Sequence, residues 1–85
     1  MGSYSLRIKK SAEKELKSIP NPDLKRIARQ IQDLAHNPSP HGCEKLAGED
    51  QYRIRQGDWR VIYSIQDDQR MVEIYKVGHR REIYR

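Results

Sequence analysis

The sequence predicts an α+β domain. An N-terminal strand and an antiparallel helix hairpin come first. The hairpin packs on one face of a mainly antiparallel sheet, which a C-terminal strand meander completes. Three observations predict this. Apolar residues recur three and four positions apart through 12–35. They alternate at period two in 4–9 and again through 51–77. The helical and strand segments come in blocks rather than in alternation, which is the pattern of α+β rather than α/β chains.

Tyr4-Ser5-Leu6-Arg7-Ile8-Lys9 alternates apolar and polar residues, as a half-buried strand does. Ser11 is expected to cap the first helix, with Glu13 and Glu15 near its positive end. Ala12, Leu16 and Ile19 form its apolar stripe, and Pro20 ends it. Asn21 as N-cap followed by Pro22 in the first turn opens the second helix. Leu24, Ile27, Ala28, Ile31, Leu34 and Ala35 line one face of that helix, with Lys25, Arg26, Arg29, Gln30, Gln32 and Asp33 opposite, and Asn37-Pro38 stops it. The turn formers of 38–50 make a connection in which part of "CEKLA" is a candidate short strand.

Three strands follow. Residues 51–56 set Tyr52 and Ile54 on one face, Arg53 and Arg55 on the other. Gly57-Asp58 is a tight turn. Residues 59–66 are apolar on both sides, with Trp59, Val61, Tyr63 and Ile65 against Ile62, as in a central strand. Asp67–Arg70 is a turn and 71–77 the last strand. Gly78 is expected to let the chain bend, and the remaining tail is too short for a full helix. Neither an internal repeat nor a second domain is visible, so residues 1–85 read as a single domain.

Composition narrows the function. The net charge is +5 and the pI about 9.6, which favours an anionic partner. The basic residues change type along the chain. Residues 1–50 hold six Lys and three Arg; residues 51–85 hold one Lys and seven Arg. Arginine grips phosphate with a flat, two-bond fork, so the C-terminal half is where a phosphate site is expected. Cys43 is the only cysteine, which fits a reducing cytoplasm. No apolar run approaches the length of a membrane span, and no signal peptide pattern is present.

Arg53 and Arg55 are two apart in a strand, so they share a face, roughly 6–7 Å apart. Arg60 joins them if the register allows. The three would then cradle a phosphate, or else form a solvated face paired to Glu73 or the Asp67-Asp68 turn. His79 beside Arg80 and Arg81 is a candidate for proton transfer near neutral pH, or part of a basic surface tail. Tyr84 is a poor base unless guanidinium groups stabilise its phenolate; otherwise it packs the tail. His41 and Cys43 lack the second ligand pair a zinc site needs, so no metal is expected. His36, at the end of the second helix, suits the helix dipole.

"KSAEKELKSIP", the "KLAG" before the meander, "YRIRQGDWRVIY" and the tail "VGHRREIYR" together resemble the RelE family of bacterial toxins, within the RelE/ParE superfamily. The resemblance runs over essentially the whole chain. It implies the RelE-like microbial ribonuclease fold and a cytoplasmic toxin of a type II toxin–antitoxin system. It implies a metal-independent, cofactor-free endoribonuclease that cuts mRNA in the ribosomal A site, and a RelB-like antitoxin that wraps the toxin and disables it. In RelE-type chemistry the ribose 2′-OH attacks its own phosphate, leaving a 2′,3′-cyclic phosphate and a 5′-OH. By the resemblance, Arg55 and Arg60 stabilise the phosphorane. Arg80 stabilises it and assists the leaving group. Tyr84 is the general base, and Arg53 with Arg81 holds the RNA backbone. Proton transfer resting with His79, with Tyr84 stacked on a base, is the other assignment. Two other functions stay open: a ParE-like module that poisons DNA gyrase without cutting RNA, and a non-catalytic basic domain that binds nucleic acid or an antitoxin.

Overall fold

The computed structural model describes residues 3–46 and 50–83. In chain order the elements are β1 (Ser5–Ile8), α1 (Lys10–Lys17), α2 (Asn21–Leu34), β2 (Glu44–Lys45), β3 (Gln51–Gln56), β4 (Trp59–Gln66) and β5 (Met71–His79). The five strands form one sheet in the order β1-β5-β4-β3-β2. β1 runs parallel to β5, and the other pairs are antiparallel. β4 is the middle strand, as its two-sided apolar pattern requires.

The core lies between the helices and one face of the sheet. Ala12, Ile19, Ile27, Ile31 and Leu34 from the helical segment meet Ile54, Val61, Tyr63, Val72, Ile74 and Val77 from the sheet. Tyr63 is fully buried and donates its hydroxyl to the Pro38 carbonyl at 2.7 Å, which anchors the loop after α2. Burial pushes that phenol well above its ordinary pKa.

Two helix starts differ from the sequence expectation. Lys9 stands at the N-cap of α1, without a side-chain cap, and Ser11 lies inside the first turn. Lys9 is held there from the strand side. Its amide bonds to the Ile74 carbonyl at 3.0 Å, and its ammonium sits 4.4 Å from the centre of the Tyr75 ring. At α2 the N-cap is Pro20 rather than Asn21. Its extended backbone (φ −58, ψ 148) sets the entry angle, and its carbonyl accepts the Leu24 amide at 2.9 Å. Gly78 also differs: it lies within β5, which continues to His79, so the bend comes after it.

Two irregularities aim the sheet. The β3–β4 hairpin closes over Gly57 (φ +59) and Asp58; positive φ at the first central position only is the type II′ pattern, which suits strand twist. Between β4 and β5 the register slips: Ile62 faces Lys76 but Tyr63 faces Ile74, leaving Tyr75 as a bulge. Val72 and Ile74 on one side of the bulge and Val77 on the other therefore all reach the core, despite the odd spacing.

β1 pairs with β5 only as far as Ile74. Beyond it the free edge is capped by Glu15 of α1, whose Oε1 accepts the Val77 amide at 3.0 Å. Replacing Glu15 with leucine strips that amide of its acceptor. The expected result is a stability loss of about 1–3 kcal/mol in urea denaturation, with faster hydrogen exchange at Val77. Ile31→Ala, which opens a cavity in the core, is expected to cost about 2–5 kcal/mol.

Candidate phosphate-binding face

The face of the sheet turned away from the helices carries the arginines. The β3–β4 register sets Arg53 against Ile62, Ile54 against Val61 and Arg55 against Arg60. Since Ile54 and Val61 point into the core, Arg53, Arg55 and Arg60 share the opposite face. Directly paired residues lie about 4.5–5.5 Å apart at Cα. The hairpin therefore sets two guanidinium-bearing residues directly across from each other, an arrangement that like-charge repulsion opposes.

Each arginine is held differently. Arg60 is nine-tenths buried (9 % exposed). Its Nη1 donates to the Gly57 carbonyl at 2.9 Å and to the Trp59 carbonyl at 3.0 Å. Its Nε is buried without an acceptor, and among the described residues no carboxylate pairs with it. Arg53 and Arg55 converge on Glu44: Arg53 Nη2 lies 3.0 Å from Oε2 and Arg55 Nη2 3.0 Å from Oε1. Glu44 faces Arg53 in the β2–β3 register, so the first contact is a cross-strand pair and the second a diagonal one. The hydrogen bond and charge of Arg53, followed by the charge of Arg55, hold the Glu44 carboxyl below the usual carboxylate range. Glu44, rather than Glu73 or the Asp67-Asp68 turn weighed from sequence, takes both guanidinium groups. Asp67 accepts from the Tyr4 hydroxyl at 2.5 Å, which raises the Tyr4 pKa.

Arg80 comes to the same end of the sheet. Its amide donates to the Asp58 carbonyl at 2.7 Å, and its Nε lies 3.6 Å from Asp58 Oδ1. The Gly57-Asp58 turn thus receives Arg60 through one carbonyl and Arg80 through the next. Gly78 pairs with Arg60, so it belongs to the arginine face. A Cβ added at Gly78 would meet Ile83 at 3.7 Å. Buried Ile83 therefore caps this face, outside the helix-side core. A short helical turn carries it there, with the Ile83 amide bonding the His79 carbonyl at 3.0 Å.

His79 is out of step with the arginines. It pairs with Trp59, whose register is that of the helix side, and their rings meet edge to face at 5.6 Å. Trp59 in turn donates to Asp23 of α2 at 3.0 Å. The Arg81 amide donates to His79 Nδ1 at 3.2 Å, which places the ring proton of the neutral imidazole on Nε2. Arg81 itself is exposed. Tyr84 lies outside the described residues. His36 and His41 are exposed, and among the described residues no three potential metal ligands stand together.

Sequence reasoning missed Glu44. Its signal was faint: a single acid in the two-residue strand preceding the arginine-rich hairpin. Gln30 was also missed as a contact; its Nε2 reaches the Arg55 carbonyl at 3.3 Å, beyond the end of β2.

The family model for the ParE toxin of type II toxin–antitoxin systems matches residues 6–84. The chain belongs to the RelE/ParE family of type II toxins. Within it, the chain is 34% identical to RelE1 of Methanocaldococcus jannaschii, covering 96% of each chain. It is 31% identical to the toxin RelG of Mycobacterium tuberculosis, covering 96% of this chain and 97% of RelG. Its fold superposes on the archaeal RelE–RelB complex from Pyrococcus horikoshii OT3 with a TM-score of 0.84. That match has 32% identity and covers 94% of this chain and 98% of that one. No helix among the described residues is long and apolar enough to cross a membrane.

The Glu44 clamp has a pH signature. A carboxylate with a depressed folded pKa contributes stability above its unfolded value and loses it as pH falls through the folded one. Carboxyl ¹³C titration is expected to place the Glu44 midpoint below those of glutamates without such pairs. Arg53→Met should raise it more than Arg55→Met. For Arg60, methionine fills the same space without a buried charge, so Arg60→Met should leave folding stability unchanged or raise it by up to about 4 kcal/mol in urea denaturation.

Proposed function

We propose that this chain is a toxin that cuts mRNA in the ribosomal A site by attack of the ribose 2′-OH on its own phosphate. The observation that carries this reading is Arg60. A guanidinium nine-tenths buried, with an unpaired Nε and no carboxylate partner among the described residues, costs folding free energy that an apolar residue would avoid. Such a group on a face shared with Arg53 and Arg55 suits an anionic ligand supplied from outside, and a phosphodiester fits the fork geometry of arginine.

In the proposed reaction the 2′-oxygen forms a bond to phosphorus as its proton is taken. The phosphorus–O5′ bond breaks, and the leaving 5′-oxygen is protonated. The products are a 2′,3′-cyclic phosphate and a 5′-OH. Negative charge accumulates on the phosphorane oxygens. Arg55 and Arg60 stabilise it there, with charge already fixed in place before the reaction. Arg80, tied to the Asp58 turn, stabilises the same charge and assists the leaving oxygen. Arg53 and Arg81 hold the RNA backbone. Tyr84 takes the 2′-OH proton, a role that calls for guanidinium charge to favour its phenolate. His79 is the second candidate, but its ring packs on Trp59 in the register of the helix side, which favours Tyr84. The relatives in the archaeal complex bind RelB; by likeness, this chain's partners are a RelB-like antitoxin, the ribosome and mRNA, and it acts in the cytoplasm.

The test is induction in a bacterial host with mapping of mRNA 5′ ends on translating ribosomes. The expected outcome is cuts within the A-site codon bearing 5′-OH ends. They should drop at least about a hundredfold in Arg60→Met and Tyr84→Phe, the scale of losing charge stabilisation or a general base. His79→Ala should retain most cutting. Intact mRNA with a DNA-damage response would overturn the reading in favour of a gyrase-directed, ParE-like module. Intact mRNA with salt-sensitive RNA binding alone would leave a non-catalytic basic domain.

A further inference from the structure

Glu44 is the feature the proposed chemistry does not use. Its two carboxylate oxygens take one guanidinium each, Arg53 on Oε2 and Arg55 on Oε1, both at 3.0 Å. A phosphodiester presents the same motif: two anionic oxygens on one central atom. The carboxylate thus fills the place that the arginine pair would offer to a phosphate. It is also well placed to leave. Glu44 sits in a two-residue strand whose residues are both exposed, and its side chain keeps 47% of its accessibility. Arg55 remains 58% accessible, while Arg53 is more enclosed at 15%. Beside the pair lies an open cleft of about 340 Å³, lined by Gln30, Pro40, His41 and Gly42 as well as by Glu44 and Arg55. Both ion-pair partners of the Glu44 carboxylate lie on the arginine face, so it can rotate off them toward the cleft while the core stays packed.

We propose that Glu44 is a specificity-determining residue. It acts as an internal stand-in for phosphate that keeps the Arg53–Arg55 pair aligned in the free protein and must be displaced by an RNA phosphodiester. The proposal rests on the reading of Arg53 and Arg55 as ligands of RNA phosphate. Its consequence is a threshold. Free RNA has to compete with an anion that is always present, so casual binding is weak. RNA presented in a fixed position by another body, such as a ribosome, loses less entropy on binding and displaces the carboxylate more readily. Glu44 sets selectivity through occupancy, and it takes no proton in the reaction.

The probe is a fluorescein-labelled hexanucleotide RNA with a 2′-O-methyl group on every ribose, so that binding is read without cleavage. Fluorescence anisotropy is measured for the unmodified protein, Glu44→Gln, Arg55→Gln and the double variant. Glu44→Gln should bind about tenfold tighter, the scale of releasing two partly exposed ion pairs, with a steeper salt dependence. Arg55→Gln should bind more weakly, and the double variant should lose the gain. Equal or weaker binding by Glu44→Gln, with Arg55→Gln still weakened, overturns the stand-in role and leaves Glu44 as a prop for the arginines. Binding unchanged in Arg55→Gln overturns the phosphate-ligand reading, and the stand-in role falls with it. A second measurement needs no variant. Inorganic phosphate titrated into the unmodified protein should move the Glu44 carboxyl ¹³C signal toward that of a free carboxylate, along with the Arg53 and Arg55 guanidinium signals. A Glu44 signal that stays fixed while the guanidinium signals shift overturns displacement.

Discussion

Everything specific about this molecule depends on one register, that between β3 and β4. Two residues at the hairpin tip, Gly57 and Asp58, fix it. A slip of one position would turn Ile54 away from Val61 and drive Arg53 and Arg55 into the core. The apolar side enforces the register: Ile54, Val61 and Tyr63 are buried against the helices, and the arginines are carried to the other face as a result. The core thus chooses the geometry of the charged face, even though its side chains point to the other side of the sheet.

The cost of that face is visible in how its charges are placed. Arg55 and Arg60 stand opposite each other, a pairing that a sequence chosen for stability alone would avoid. Three devices hold it. Glu44 neutralises the exposed end of the pair, two main-chain carbonyls hold the buried end, and Asp58 ties Arg80 to the same turn. The Gly57-Asp58 turn therefore does two jobs, closing the hairpin and collecting guanidinium groups. Local rules broken at one place, while the rest of the chain obeys them, are the mark of a functional site. On the proposed reading the break supplies positive charge to a phosphorane without a cofactor.

The bulge at Tyr75 connects the two faces. It changes the parity of β5, so that Val72, Ile74 and Val77 all reach the core while Gly78 lies beneath Ile83 on the arginine face. The Lys9 ammonium over the Tyr75 ring and the Glu15 carboxylate on the Val77 amide, from the N-cap and body of α1, stabilise the irregular segment. A helix that appears only to cover a core thereby also shapes the strand that bears the tail of the site.

The sequence by itself determined the element order, the side of the sheet that is buried, and the membership of Arg53 and Arg55 in one polar face. Those follow from periodicity, a local property that survives in any context that buries the apolar side. It also carried the family likeness, in motifs that span the hairpin and the tail. Only the tertiary structure decided the rest. The β3–β4 register made Arg55 and Arg60 direct partners. The pairing of β2 brought Glu44 across to Arg53. The bulge placed His79 opposite Trp59, out of step with the arginines. Parallel pairing of β1 with β5 set the chain's first strand beside its last. Each is a contact between segments far apart in sequence or a change of phase within a strand. Periodicity reports which way a residue points, and it says nothing of which residue it meets.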